Sequence, residues 1–349
     1  MPEVTNDSGF AYESVYVTDE VGMPVFVAIV QSTWAIVEDG PLLALDTQPA
    51  VRTSGEWYGD PATTSLKLEP QIAFTKPATD IALVGYAYPS SSGSSDGIVG
   101  IRVGPVQKIA RVFGDRLMTR NLGLAYTTTP QPFERIPIVY ERCFGGWDRR
   151  HPDPGHHTCE PRNPVGVGFM DGAMDTGFEG WLPNFELTDQ LFQGIGDTPE
   201  PAGFGFIQSH WYPRSLFAGT YDKRWSEDRK PLLPDDFDRR FFNAASPGLI
   251  APGFLQGDEE VIVIGATPGG RTAFRLPGLP TPHCIVALRG RRSARLEMNL
   301  DTLLVDTDAL TVTMTWRGAL RLRRGPHDVE AVNVDPRPEE VEDLEVEEE

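Results

Sequence analysis

Apolar residues along this chain fall in short runs bounded by turn residues, and the runs are rich in β-branched and aromatic side chains. The pattern predicts strands over Phe26–Val37, Ile81–Tyr88, Ile98–Val103, Val106–Phe113 and Ile136–Arg142. Glu38 to Pro41 supplies turn chemistry after the first, and the Ser/Gly-rich stretch Pro89–Gly97 reads as a hairpin tip. A second set follows at Glu260–Ile264, Cys284–Arg289, Thr302–Val305 and Leu310–Trp316. In the last of these, Thr alternates with apolar residues, the period of a half-buried strand. Thr33-Trp34 and Thr315-Trp316 recur in the two sets, which is too little to claim a duplication.

Between the sets the periodicity fades. Gly145 to Pro213 is dense in Gly, Pro, Asn and aromatics and reads as ordered loops. Two short helices are expected after it. One covers Tyr221–Arg229, with Thr220 as N-cap and Pro231 as stop; the other covers Asp235–Ala245, with Phe237, Phe241 and Phe242 on one face. The expected fold is mainly β, with two β-rich units, sandwich-like or barrel-like, joined by a Gly/Pro-rich middle region. The boundaries are 1–144, 145–245 and 246–334, followed by an acidic tail at 335–349.

Composition narrows the function. Gly 35 and Pro 31 in 349 residues leave little room for long helices. The balance of 31 basic against 50 acidic residues, a net of −19, argues against nucleic acid and anionic membrane as partners. Residues 335–349 hold nine Asp or Glu and one Arg, so they carry −8 of that charge and are expected to be a disordered solvating tail or a docking arm for a basic partner. No apolar run reaches the ~18 residues of a membrane span, and the N-terminus lacks a signal-peptide layout. The three cysteines, Cys143, Cys159 and Cys284, are a poor disulfide framework, so a cytoplasmic location is expected.

No stretch presents a catalytic constellation. His151 to Cys159 gathers His156, His157 and Cys159 as weak metal candidates, but the spacing matches no zinc motif. Gly93 to Gly97 fits a nucleophile-elbow pattern in a setting without the required helix, and Gly166-Val-Gly168 lacks the third glycine of a dinucleotide loop. The paired carboxylates Asp235-Asp236 and Asp306-x-Asp308 suit a helix start and a turn. Neither an enzyme activity nor a cofactor is expected.

A set of motifs in order across about residues 15 to 320 carries a resemblance. They include Trp57-Tyr58-Gly59-Asp60-Pro61, Lys76 to Asp80, Arg111 to Asp115, Tyr140 to Gly146, Asn163 to Phe169, Leu182 to Asn184, Ala202 to Gly205, Pro231 to Asp238 and Phe241 to Ala244. Together they resemble a bacterial family, catalogued as a domain of unknown function, encoded in type VI secretion clusters beside the valine-glycine-repeat spike protein and PAAR-like effectors. The resemblance implies an adaptor or chaperone that holds a PAAR-like effector, helps load it onto the spike, and has no motif-assigned active site. The His-bearing insertion between Gly146 and Asn163 and the acidic tail depart from that pattern.

Loop-borne aromatics fit such a role, because rigid loops present ring anchors at interfaces. Trp57, Tyr58, Arg142, Phe169, Trp181, Phe204, Phe206, Trp211 and Tyr212 are the candidate partner-binding residues. Gly59, Asp60, Gly145, Gly146, Asn163, Pro164, Gly166, Asp235, Asp236 and Asn243 are the candidate structural ones. The partner is expected to sit in a groove between the β-rich units. Two readings compete: a glycan hydrolase working through the paired carboxylates, and a passive structural or binding module.

Overall fold

The structure, a computed structural model, describes residues 2–38, 40–121, 124–171, 179–194, 196–290 and 292–335. It is mainly β. Pro24–Ala35 is the spine of the largest sheet, whose order is Ala11–Thr18, Pro24–Ala35, Thr311–Arg321, Asn299–Asp306 and Asp80–Val84, with Leu43–Ala44 paired to the spine. The spine is buried on both faces: Phe26, Ala28 and Val30 join the main core, while Val25, Val27 and Ile29 pack with Val51 and Phe74. A strand covered on both sides has no solvent face to mark, which is why its run is apolar without alternation.

A five-stranded sheet runs Phe185–Leu187, Val106–Phe113, Asp96–Val103, Glu260–Ile264 and Arg271–Arg275. A four-stranded sheet runs Glu3–Asn6, Val329–Asp335, His283–Leu288 and Arg292–Leu296. All three sheets feed one core cluster, which includes Ile81, Ile101, Val261, Val286, Val312 and Trp316. Strands from before residue 144 and from after residue 246 lie side by side in all three sheets, so those boundaries do not divide the sheets. The two Thr-Trp strands are neighbours, with Thr33 opposite Thr313 and their hydroxyls 3.1 Å apart.

Local chemistry moves several predicted boundaries. The run Ile81–Tyr88 breaks at Gly85, whose φ of 130° belongs to glycine and where a Cβ would collide with the Thr307 hydroxyl. Asp80–Val84 therefore stays in the large sheet, and Tyr86–Ala87 pairs with Ile136–Pro137 instead. Beyond Pro137 the expected strand gives way to a 3₁₀ turn at Tyr140–Arg142. The first helix spans Lys223–Asp228 and is capped by Asp222, which accepts from the Trp225 N–H at 2.8 Å; Thr220 is engaged by Asp236 instead. The second shrinks to a 3₁₀ turn at Arg239–Phe242 capped by Asp238, because Ala244 and Ala245 are drawn into the interior by backbone pairing. The acidic segment after Asp335 lies outside the described residues.

Buried ion pairs tie the layers together. Lys76 Nζ donates to Asp80 at 2.9 Å and to Thr302 Oγ1 at 2.8 Å, while Asp80 also accepts from Asn243 Nδ2 and the Ala244 N–H, each at 2.9 Å. Thr302 donates to Asp301 at 2.9 Å, and Asp301 accepts from Arg317 at 2.5 Å. Arg317 then reaches Gln71 Oε1 at 2.7 Å and the Ala73 carbonyl at 2.9 Å. Every side chain in this chain of contacts is buried.

Removing one partner of a buried pair strands the other charge, a loss of about 3–5 kcal/mol. Lys76→Met is therefore expected to lower the urea midpoint by that equivalent, whereas Glu227→Ala, which breaks the exposed Lys223–Glu227 pair, shifts it by less than about 1 kcal/mol. Equal midpoints for the two variants would remove the network from its structural role.

Candidate functional site

A groove of about 700 Å³ opens beside Val17, Thr18 and Asp19 at the end of the Ala11–Thr18 strand, between the loop around Trp57 to Lys76 and the segments around Gln208 to Arg214 and Pro231 to Phe242. Ile72, Phe74, Leu232, Leu233, Phe241 and Phe242 supply its apolar walls. The volume is that of a small-ligand pocket or a seat for a few anchoring side chains. Ile72 is 46% exposed, so apolar surface is presented to solvent here.

Arg214 builds one wall. Buried and fully bonded, it donates to Glu69 at 2.5 Å, to the Phe241 carbonyl at 2.8 Å and to the Ile207 carbonyl at 2.9 Å. Trp57 is fixed by its indole N–H on Gln208 at 3.3 Å. Each charged side chain lining the groove is held in an ion pair: Asp19 with Arg321, Glu69 with Arg214 and Lys76 with Asp80. With its charges internally neutralised, the groove favours apolar surface over an ionic ligand.

A second concave region lies where several motifs converge. Arg142 donates to Asp115 at 2.9 Å and to Asn184 Oδ1 at 3.2 Å, and Asn184 Nδ2 returns to Asp115 at 3.0 Å. Beside this cluster, Trp181 is 57% exposed and walls both a polar cleft of about 310 Å³ and an adjoining pocket of about 210 Å³. The floor of the second pocket is glycine: Gly145 and Gly146 have φ of 149° and 100°, and a Cβ on either would strike the backbone of Asn163 or Gly166. Asn163 fixes that approach by donating to the Tyr140 and Phe144 carbonyls at 2.8 and 2.9 Å. Pro164 and Gly166 complete the turn that leads to Val167–Gly168, which pairs with Phe144–Gly145.

The candidate anchors thus separate. Trp57 lines the groove; Arg142, Phe169 and Trp181 line the second region; Tyr58 and Tyr212 are exposed elsewhere. Phe204, Phe206 and Trp211 are buried, and pack the interior rather than face a partner. The sequence did not single out Ile72, Leu232 and Leu233 as groove residues, although the Pro-Leu-Leu-Pro stretch at 231–234 carried a signal: apolar residues held between prolines.

The other candidates have structural partners. Asp60 caps its own turn through the Ala62 N–H at 2.9 Å, with Gly59 beside it. Asp235 pairs with Arg229 at 2.9 Å, while Asp236 accepts from the Thr220 N–H and hydroxyl at 2.9 and 2.7 Å, which holds its carboxyl below the usual range. Asp306 accepts from the Asp308 and Ala309 N–H groups at 3.0 and 2.9 Å, so neither acidic pair converges on a common point. His156 contacts Asp153 at 3.2 Å, His157 contacts the His151 carbonyl at 2.9 Å, and Cys159 lies in a short ladder opposite Trp147. Among the described residues no three His, Cys, Asp or Glu side chains are grouped to hold a metal ion.

Lys108 was not anticipated. It is buried, and its amine meets only neutral oxygens, Ser246 Oγ and the Pro247 carbonyl, both at 2.8 Å. Burial without a carboxylate pulls its pKa down to about 8. Above that pH the folded chain has released a proton that the unfolded chain keeps until roughly 10.4, so this residue's contribution to stability rises through that window and is lost as pH falls through 8. Relative to Lys108→Met, the native chain is expected to gain roughly 2–3 kcal/mol between about pH 7.5 and 10.5, read from parallel urea titrations. A constant difference across that range would mean that the amine keeps its proton in the folded protein as long as it does in the unfolded chain.

A family model described as an uncharacterized protein conserved in bacteria (DUF2169) matches residues 21–317. No curated protein and no solved structure matches the chain.

Proposed function

The chain belongs to the bacterial DUF2169 family, and we propose that it is a non-catalytic type VI secretion adaptor that binds a PAAR-like effector and helps load it onto the spike protein in the cytoplasm. The observation that carries the adaptor part is the apolar groove of about 700 Å³ whose lining charges are already paired. Such a surface gains free energy by covering apolar area on another protein. The type VI assignment of the client rests on the ordered motifs. Binding the client's folded form stabilises it by mass action, without ATP, and a competing spike interface releases it.

Co-expression with a PAAR-like effector, followed by size-exclusion chromatography with mass determination, is expected to give a complex and to raise the effector's solubility. Ile72→Asp and Leu232→Asp, which place a carboxylate in the groove wall, are expected to weaken that complex by at least about tenfold while the variants themselves stay folded. Two proteins that are soluble apart and never co-elute would overturn the reading. An unchanged affinity in both groove variants would move the client to another surface.

A further inference from the structure

The polar cleft beside Trp181 holds hydrogen-bonding groups that the fold fixes without engaging them fully. Buried Asn184 is the clamp. Its Nδ2 donates to the Phe113 carbonyl at 2.9 Å and to Asp115 Oδ1 at 3.0 Å, and its Oδ1 accepts from Arg142 Nη1 at 3.2 Å. Arg142 Nη1 also donates to the same Asp115 Oδ1 at 2.9 Å. Among the described residues, Asp115 Oδ2 then has no donor, and Arg142 Nε and Nη2 have no acceptor. Glu141, on the same cleft, is already engaged, because the Ser65 N–H and hydroxyl reach its two oxygens at 2.7 and 2.6 Å. Asp115 and Arg142 are both partly exposed, so their open atoms are within reach of a ligand.

What remains is a fixed acceptor next to fixed donors, in a cleft that has the exposed Trp181 in its wall. A hydroxyl both donates and accepts, so two neighbouring hydroxyls match that pair, one giving its proton to Asp115 and the other accepting from Arg142. Charge selects a neutral ligand. Two carboxylates and one guanidinium line the cleft of a chain whose net charge is −19, which repels an anion, while the open edge of Arg142 repels a cation. The carbon-bound hydrogens on the face of a sugar ring carry partial positive charge and suit the negative face of an indole. A cleft of about 310 Å³ has room for such a ring.

A second aromatic side chain lies on the same sheet face. Leu117 stands opposite Trp181 and Thr119 opposite Tyr126, so Trp181 and Tyr126 leave one face of the three-stranded sheet, and Tyr126 is 52% exposed. They are two strand spacings apart, ~10 Å, farther than a single sugar ring covers. We propose that this region is a glycan-binding site for a neutral oligosaccharide. One pyranose stacks on Trp181 with its vicinal hydroxyls on Asp115 Oδ2 and Arg142, and a further ring of the same chain reaches Tyr126. This inference stands independently of the adaptor reading, whose groove is elsewhere.

Isothermal titration calorimetry on the full chain tests it, with cellotetraose and tetra-N-acetylchitotetraose as neutral probes and tetragalacturonate as an acidic one. At least one neutral probe is expected to bind with a dissociation constant at or below about 1 mM, and tetragalacturonate at least about tenfold more weakly. Trp181→Ala and Arg142→Lys, which keeps the charge but loses the guanidinium fork, are each expected to weaken binding by at least about tenfold, whereas Trp181→Phe retains most of it. An unchanged urea midpoint for Trp181→Ala separates lost binding from lost folding. No binding of either neutral probe to the native chain, or binding that Trp181→Ala leaves unchanged, would overturn the proposal. Loss of a PAAR-like effector's complex in Trp181→Ala, with no sugar bound by the native chain, would overturn it by making the region a protein interface.

Discussion

The carboxylate of Asp80 is the point on which the layers of this protein depend. It opens the edge strand of the largest sheet, which pairs parallel with Asn299–Asp306; it is fully buried, and it is neutralised by Lys76 from the preceding loop. Two further donors come from Asn243 and Ala244, about 160 residues downstream. A buried charge tolerates no missing partner. The loop before the strand, the strand itself and the segment after the 3₁₀ turn at Arg239–Phe242 must therefore meet at one place. Thr302 and the Asp301–Arg317 pair extend the same constraint to the two neighbouring strands and to the loop at Gln71.

The groove is a by-product of that fixation. Lys76 closes one end of the loop that passes under Trp57, and Asn243 closes one end of the segment that carries Phe241 and Phe242. Arg214 binds the two together through Glu69 and the Phe241 carbonyl. With their backbones held by buried polar contacts, the apolar side chains between them need not collapse on each other, and a cavity of about 700 Å³ stays open between them. Polar groups spend their hydrogen bonds inside the walls, and apolar groups are left for the surface. A preformed surface of this kind loses little entropy when it binds.

The second region shows the same economy with a different device. Glycines at 145, 146 and 166 let two backbone segments touch, and Asn163 locks them by its amide. Trp181, whose backbone pairs with Leu117, then displays its ring on the rim. Motifs that look like isolated sequence signatures, Tyr140 to Gly146, Asn163 to Phe169 and Leu182 to Asn184, are thus halves of single contacts.

Hydrophobic patterning alone determined the mainly β character, and it located strands such as Val106–Phe113 and Glu260–Ile264 at their observed limits, because a strand's period and β-branched content are local properties. It also placed the turn chemistry of Asp306 and the proline, Pro231, that follows the short helix. Only the tertiary structure decided which strands share a sheet, since pairing partners such as Pro24–Ala35 and Thr311–Arg321 lie nearly 300 residues apart and any apolar strand satisfies the pattern of any other. It alone divided the loop aromatics as well. Trp181 and Trp211 sit in equally Gly/Pro-rich stretches, yet one is exposed and the other is packed on Tyr140, because exposure is set by what the rest of the chain lays over a residue and not by its neighbours in sequence. Lys108 was invisible for the same reason: its environment is made by Ser246 and Pro247, which only folding brings to it.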